Sequence, residues 1–149
     1  MCNPWNSTAL DYTGANIRQA GRDKLIGRTA AMYSPQLLDH FEHPRNAGEL
    51  LGADARVQIE NPACGDILEL AIKMDAGRIA AIRFRAKGCV SAMACASAVT
   101  ELAQGRQADE ASRISKAEII AAVGGLPAAS GHAAQLAIDA LVAALKKLD

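Results

Sequence analysis

Two runs of alternating residues on either side of a tight turn constrain this chain more than anything else in it. From Ile67 to Met74, residues Leu68, Leu70, Ile72 and Met74 fall on one face and Glu69, Ala71 and Lys73 on the other. That is the period-2 signature of a half-buried strand. Asp75-Ala76-Gly77 supplies turn chemistry, with Gly77 free to take positive φ. Arg78 to Ala86 then alternates again, with Ala80, Ile82, Phe84 and Ala86 inward and Arg83 and Arg85 outward. The pattern predicts an antiparallel hairpin. Cys64 lies just before its first strand and Cys89 just after its second, so folding the hairpin returns two thiols 25 residues apart to the same end.

Further donors converge on that end. Gly88-Cys89 opens a helix predicted from about Val90 to Gln104 and stopped by Gly105. A cysteine at a helix N-terminus sits in a partly positive field, which lowers its pKa and favours the thiolate that metals require. Asp66, one small glycine beyond Cys64, can turn its carboxylate toward the same point, and His132 begins the last helix, which runs to about Lys147. Cys64, Asp66, Cys89 and His132 together make two thiolates, a carboxylate and an imidazole. That set suits tetrahedral zinc or a small iron–sulfur cluster.

Each donor taken singly has a plainer reading. A buried cysteine is usually a small hydrophobe, a histidine at a helix start is often a cap, and C-x-D alone is a weak motif. The combination around one hairpin carries the metal-site expectation. Other residues take the plain reading. His40 and His43, near a Pro-Arg-Asn turn, are expected as surface or turn contacts, Lys87 as a solvated loop lysine, and Arg83 and Arg85 as a solvated strand face. Cys95 follows Cys89 by six residues. In a helix that is about 240° around and about 9 Å along, so the two should not share an ion, and Cys95 is expected in the core.

Composition bounds the rest. A chain of 149 residues, half of them hydrophobic, can bury one core. Its net charge of zero favours neither nucleic acid nor an anionic membrane surface. No apolar run approaches the roughly 20 residues of a membrane span. Cysteines at 2, 64, 89 and 95 do not make a dense disulfide framework, and a reducing cytoplasm fits them better.

Ser34 as N-cap and Pro35 after it open a helix whose Leu37, Leu38 and Phe41 share a face. Ala55 to Glu60 reads as a third strand. Ser115 and Glu118 form a capping box for a helix that ends at Gly124-Gly125. The last helix carries Leu136, Ile138, Leu141, Val142, Leu145 and Leu148, too broad a set for one stripe, which predicts a central packing helix. Residues 1–32 hold scattered basic residues and no sustained apolar period, and are expected as a flexible extension that gives Cys2 and Trp5 no role. Asp11 and Asp23 weigh against an organellar presequence, and the lack of a hydrophobic segment against a secretory signal.

Several motifs also match a known family. Tyr33-Ser34, His40-Phe41-x-x-Pro44-Arg45-Asn46-x-Gly48, Asn61-Pro62-x-Cys64-Gly65-Asp66, Phe84-x-x-x-Gly88-Cys89-x-Ser91-Ala92, Ala96-Ser97 and Thr100-Glu101 resemble the iron–sulfur cluster assembly scaffolds of the IscU/NifU N-terminal type. The resemblance covers residues 33–149, taken here as one domain. It implies an α+β fold, a three-stranded antiparallel sheet packed against helices with the metal site at one end. It further implies a scaffold, not an enzyme, that receives sulfur from a cysteine desulfurase, holds iron or a [2Fe–2S] cluster at Cys64, Asp66, Cys89 and His132, and passes it to recipient apo-proteins.

Two departures qualify this. The family pattern places a third cysteine after the histidine, where this chain has Ala133. The chaperone-recognition stretch that usually reads Leu-Pro-Pro-Val-Lys is Leu126-Pro127-Ala128-Ala129-Ser130, which keeps the Leu-Pro and loses the second proline and the lysine, so the resemblance implies chaperone recruitment only weakly. Alternatives to a cluster scaffold are a relative that keeps zinc structurally as an accessory subunit, and a zinc hydrolase with Asp66 as general base. The last lacks any evident oxyanion stabiliser or substrate pocket in the sequence.

Overall fold

The computed structural model describes residues 33–61 and 65–148. Residues 1–32, expected as an extension, and residues 62–64, which include Cys64, lie outside that range. The elements in order are α1 (Pro35–Glu42), β1 (Ala55–Asn61), β2 (Asp66–Asp75), β3 (Arg78–Lys87), α2 (Val90–Ala103), α3 (Ala108–Ala111), α4 (Lys116–Ala122), a 3-10 turn at Ala128–Ser130 and α5 (Gly131–Lys146). The fold is α+β, as expected: one antiparallel sheet in the order β1-β2-β3, with helices against it. Among the described residues no helix is long and apolar enough to cross a membrane.

One face of the sheet makes the core. Val57, Leu70 and Phe84 form one rung of it and Ala55, Ile72 and Ile82 the next, all buried. Helix α5 packs on β1 and β2, and α2 packs on β3 while also touching α1, α4 and α5. Surrounded in this way, α2 is buried on nearly every side. Its run of Ala, Ser and Cys fits that position, because small side chains let neighbouring backbones approach from several directions. The packing face of α5 is likewise alanine-rich. Ala133, Ala134, Ala137, Ala140 and Ala144 are buried with Leu136, Leu141 and Leu145, whereas Ile138 and Val142 are only partly covered. Large aliphatic residues alone misplace that stripe, since the tight contacts belong to the alanines.

The hairpin forms, with one correction to its pattern. Lys73 pairs with Ala81 and Met74 with Ile79, so Ala80 is an extra residue in a bulge. The slip reverses the faces beyond it: Ile79 is fully buried and Ala80 is exposed, the opposite of the simple alternation. Ala76 and Gly77 both take positive φ, as a type I′ hairpin turn requires.

The Pro44-Arg45-Asn46-x-Gly48 turn covers the outer edge of β3. The Phe84 N–H donates to the Asn46 carbonyl at 3.0 Å and the Gly48 N–H donates to the Phe84 carbonyl at 2.8 Å, a parallel bridge centred on Ala47. Asn46 adopts φ +59°, and its side chain joins Thr100 on α2 to Arg83 on β3.

His40 is part of this anchor, so of the expected surface or turn contact it is the turn contact: it is 4% exposed, with Nδ1 2.8 Å from Ser97 Oγ. Ser97 Oγ also accepts the Arg45 N–H at 2.8 Å, so one hydroxyl ties His40 to the turn, and His40 Nε2 lies 3.8 Å from Glu101. Burial, reinforced by Arg45, holds the His40 pKa below its ordinary value. His43 is exposed, as expected.

Arg85 is also not a solvated residue. Its Nε and Nη2 both bond Glu69, directly opposite on β2, and Arg56 on β1 reaches the same carboxylate at 3.1 Å. Glu69 is consequently only 8% exposed. The alternation places these charges on the polar face but does not reveal that three strands pair them.

At the helix starts, Ser34 accepts the Leu37 N–H and the Ser115–Glu118 capping box is present. The short α3 between Gln107 and Ser112 has no apolar period to announce it.

Candidate metal centre

The end of the sheet at which the hairpin starts and finishes is built by two sharp chain reversals. In the first, the Gly65 N–H donates to the Asn61 carbonyl at 2.7 Å, and Gly65 takes φ +72°, a conformation that glycine adopts without a Cβ penalty. This delivers Asp66 as the first residue of β2, paired with Asn61 of β1 and 3% exposed. In the second, Gly88 turns the chain from β3 into α2 and places Cys89 at the N-cap. The 3-10 turn after Pro127 brings the start of α5, and with it His132, to the same place.

The donor atoms of Asp66, Cys89 and His132 all lie within 4.8 Å of one another. Asp66 stands at the middle of the group. Its Oδ2 is 3.5 Å from His132 Nε2 and 3.7 Å from Cys89 Sγ, and its Oδ1 accepts the Cys89 N–H at 3.2 Å. Cys89 Sγ in turn accepts the Ala92 N–H at 3.4 Å, as an N-cap side chain does. Asp66 is buried, while Cys89 and His132 are partly open. The carboxylate is thus the covered member of the group, and the thiol and imidazole are the partly accessible ones.

Three of the four residues expected as ligands are thus together, and the fourth, Cys64, lies outside the described residues. A thiolate, an imidazole and a carboxylate at mutual distances under 5 Å are donors of the kinds that bind zinc or iron.

The expected lowering of the Cys89 pKa is not what the site produces. Burial raises it, the neighbouring Asp66 carboxylate adds to the rise, and the N–H bonds at the helix start only partly oppose them. The helix-terminus argument has the right sign for its own contribution but leaves out desolvation. Cys95 is fully buried, with its thiol pushed up to about 12, and is a core residue as expected. Lys87 is partly buried at the end of β3, not fully solvated. Ala133, next to His132, is 1% exposed.

Gly88 has a role that sequence reasoning missed. A Cβ built there would stand 2.7 Å from Asp66 Cγ and 3.0 Å from Asp66 Cβ. The carboxylate occupies the space that any other residue at position 88 would need. The signal was present as Gly88-Cys89, but a glycine before an N-cap has many explanations and only the close approach identifies this one.

Comparison with known proteins agrees with this architecture. The chain is 42% identical over 110 residues to the iron–sulfur cluster assembly scaffold protein IscU 1 of Archaeoglobus fulgidus, covering 74% of this chain and 72% of that one. It is 41% identical over 117 residues to the iron–sulfur cluster assembly scaffold protein IscU of Escherichia coli K12, covering 76% and 91%. The crystal structure of a nitrogen-fixing NifU-like protein (N-terminal) from Brucella abortus superposes with a TM-score of 0.63 over 77% of this chain and 92% of that one; at 19% identity it speaks for the fold alone. The NifU-like N-terminal domain matches residues 32–149, and the chain belongs to that family.

Proposed function

We propose that this chain is an iron–sulfur cluster assembly scaffold, whose cargo is held by Asp66, Cys89 and His132 together with Cys64 and then passed to recipient proteins. One observation carries the reading. In a fold of the NifU-like N-terminal family, the three described donors gather within 4.8 Å at the hairpin end. The relatives at 41% and 42% identity are named as scaffold proteins, not as enzymes.

The residues divide the work. Cys89 and Cys64 supply the soft thiolates that iron and sulfide favour, and His132 adds a borderline nitrogen. Asp66 supplies a hard oxygen, a weaker partner for iron in a sulfur-rich site, which suits a ligand that must let go. Its fixed position, with Oδ1 held by the Cys89 N–H, keeps Oδ2 turned toward both His132 and the thiol. The partly open side at His132 is where cargo would enter and leave.

The finer parts of the reading are a [2Fe–2S] occupant with zinc as the alternative, sulfur supplied by a cysteine desulfurase, delivery to apo-proteins, and a cytoplasmic setting. The two described cysteines, both free thiols, fit a reducing compartment. Anaerobic incubation with ferrous iron, cysteine and a cysteine desulfurase tests the proposal. Visible charge-transfer absorption with matching iron and acid-labile sulfide is expected. A colourless protein retaining only zinc would favour the accessory zinc relative instead.

A further inference from the structure

The two edges of the sheet are finished differently. On β3 the outer edge is covered: Phe84 is bridged to the Asn46–Gly48 turn, and the Ile79 N–H and carbonyl bond Arg106 and Gly105. On β1 it is open. The Asp54 N–H donates to the Ile72 carbonyl at 2.8 Å, so Ile72, opposite Ala55, turns its backbone groups toward β1. Backbone direction alternates along a strand. Ala55, Val57, Ile59 and Asn61 therefore face β2, while Arg56, Gln58 and Glu60 turn N–H and C=O away from the sheet. Of those outward groups, only the Arg56 carbonyl has a partner among the described residues, Lys147 Nζ at 2.9 Å. Gln58 and Glu60 are exposed. Such an edge is a template for another strand.

The order of side chains along this edge indicates which strand. On the outer face it reads base, neutral, acid: Arg56, Gln58, Glu60. An antiparallel copy of the same strand, turned about a two-fold axis at Gln58, answers that order on both sides. Arg56 then meets Glu60 of the second copy, and Glu60 meets its Arg56. Arg56 can take a further acceptor, because its bonds to Glu69 and to the Leu50 carbonyl use two of the five guanidinium donors. On the core face the same register sets the partly buried Ile59 against Val57 of the second copy, a β-branched pair. Every outward backbone group finds a partner, with the second lone pair of the Arg56 carbonyl taking a Glu60 N–H.

Helix α5 leaves room for this. It packs over β1 and β2, so its axis lies about half a strand spacing inside β1. Two copies of α5 would run about 10 Å apart, the separation of packed helices. The row nearest the edge is Gln135, Asp139, Ala143 and, at the C-cap, Lys147, with Gln135 bonded to Asp139 and Lys147 to Arg56. In antiparallel copies the Asp139 half of one row faces the Lys147 half of the other.

We propose that β1 pairs with β1 of a second copy of this chain, making one six-stranded antiparallel sheet across a two-fold axis at Gln58. The metal centres then sit at opposite ends of the pair, since the two Asn61 residues stand about 20 Å apart at about 3.3 Å per residue. Each copy keeps its own donors, and the pairing needs no cargo. The proposal is independent of the scaffold reading.

Sedimentation equilibrium of the full chain, zinc-loaded and after chelation, tests it, together with amide hydrogen exchange at low and high protein concentration. A concentration-dependent dimer is expected in both forms, with protection rising at the Arg56, Gln58 and Glu60 amides. Gln58→Pro removes the outward N–H at the axis, leaves the ladder to β2 in place and should abolish the dimer. Glu60→Lys, at an exposed side chain, sets like charges opposite each other and should weaken association on the order of tenfold. That variant keeps the test decisive even if the proline is not tolerated. A chain that stays monomeric up to about 1 mM, a dimer that dissociates with the zinc while the chain stays folded, or a dimer indifferent to Glu60→Lys and without protection at these amides would each overturn the proposal.

Discussion

Asp66 occupies the space in which a side chain at Gly88 would stand, with Asp66 Cγ 2.7 Å from the position a Cβ there would take. The two residues flank the hairpin in sequence and meet at its one end, so the carboxylate and the turn into α2 compete for the same space. Gly88→Ala should push the carboxylate away from Cys89 and His132, and it adds backbone strain because Gly88 takes φ +156°. Metal affinity should fall on the order of 10–100-fold, the range found when a supporting contact of a ligand is lost. Competition with a chromophoric chelator measures it, and circular dichroism checks the fold. Unchanged affinity would mean that Asp66 does not need this position.

Asp66 itself is expected to control release. If it is the ligand that lets go, Asp66→Ala should retain its visible absorbance longer when mixed with an apo-acceptor, with transfer slowed several-fold. Equal transfer rates in the two proteins would remove Asp66 from the release step.

The hairpin, the helix starts and the meeting of Asp66 with Cys89 were legible because each rests on local signals: period-2 alternation, Ser34 and Ser115 as caps, and metal-binding residue types at the two ends of one hairpin. What was not legible depends on contacts between distant segments. The bulge at Ala80 reverses two faces and arises from pairing, not propensity. His40 and Ser97 are 57 residues apart, and nothing near either announces their bond. Glu69 and its two arginines read as three independent surface charges until the strand register sets them together. The rise in the Cys89 pKa follows from burial, which a helix-terminus argument cannot see.

Glu69 predicts a stability effect. Glu69→Gln leaves Arg56 and Arg85 facing a neutral amide on a half-closed face, which should cost about 1–3 kcal/mol. Urea unfolding measures the difference. A change below about 0.5 kcal/mol would show the triad to be solvated in solution.

His40 predicts a pH dependence. Its folded pKa lies below the ordinary 6.5, so between the two values the unfolded chain binds more protons. The stabilisation is therefore present above about pH 6.5 and is lost as pH falls through the folded value. Unfolding of His40→Asn, compared with the parent between pH 5 and 8, should show a weaker decline on the acid side. Parallel curves would contradict the assignment.

Ala133 bears on sulfur acceptance. At 1% exposure it offers a buried methyl where the family pattern has a thiol. With a cysteine desulfurase and cysteine, mass spectrometry should find several-fold more persulfide on Ala133→Cys than on the parent, at equal zinc content. Equal loading would show that Cys95 or a ligand cysteine receives the sulfur instead.

The central claim is that Cys64, Asp66, Cys89 and His132 hold iron–sulfur cargo, and anaerobic cluster assembly on single-ligand variants tests it most directly. Iron, acid-labile sulfide and visible absorption are measured per chain for the parent, Cys89→Ser and His132→Ala, with folding verified in each. The account predicts matched iron and sulfide on the parent and a loss of most of both in the two variants. Cargo retained at parental levels in folded Cys89→Ser and His132→Ala would contradict it.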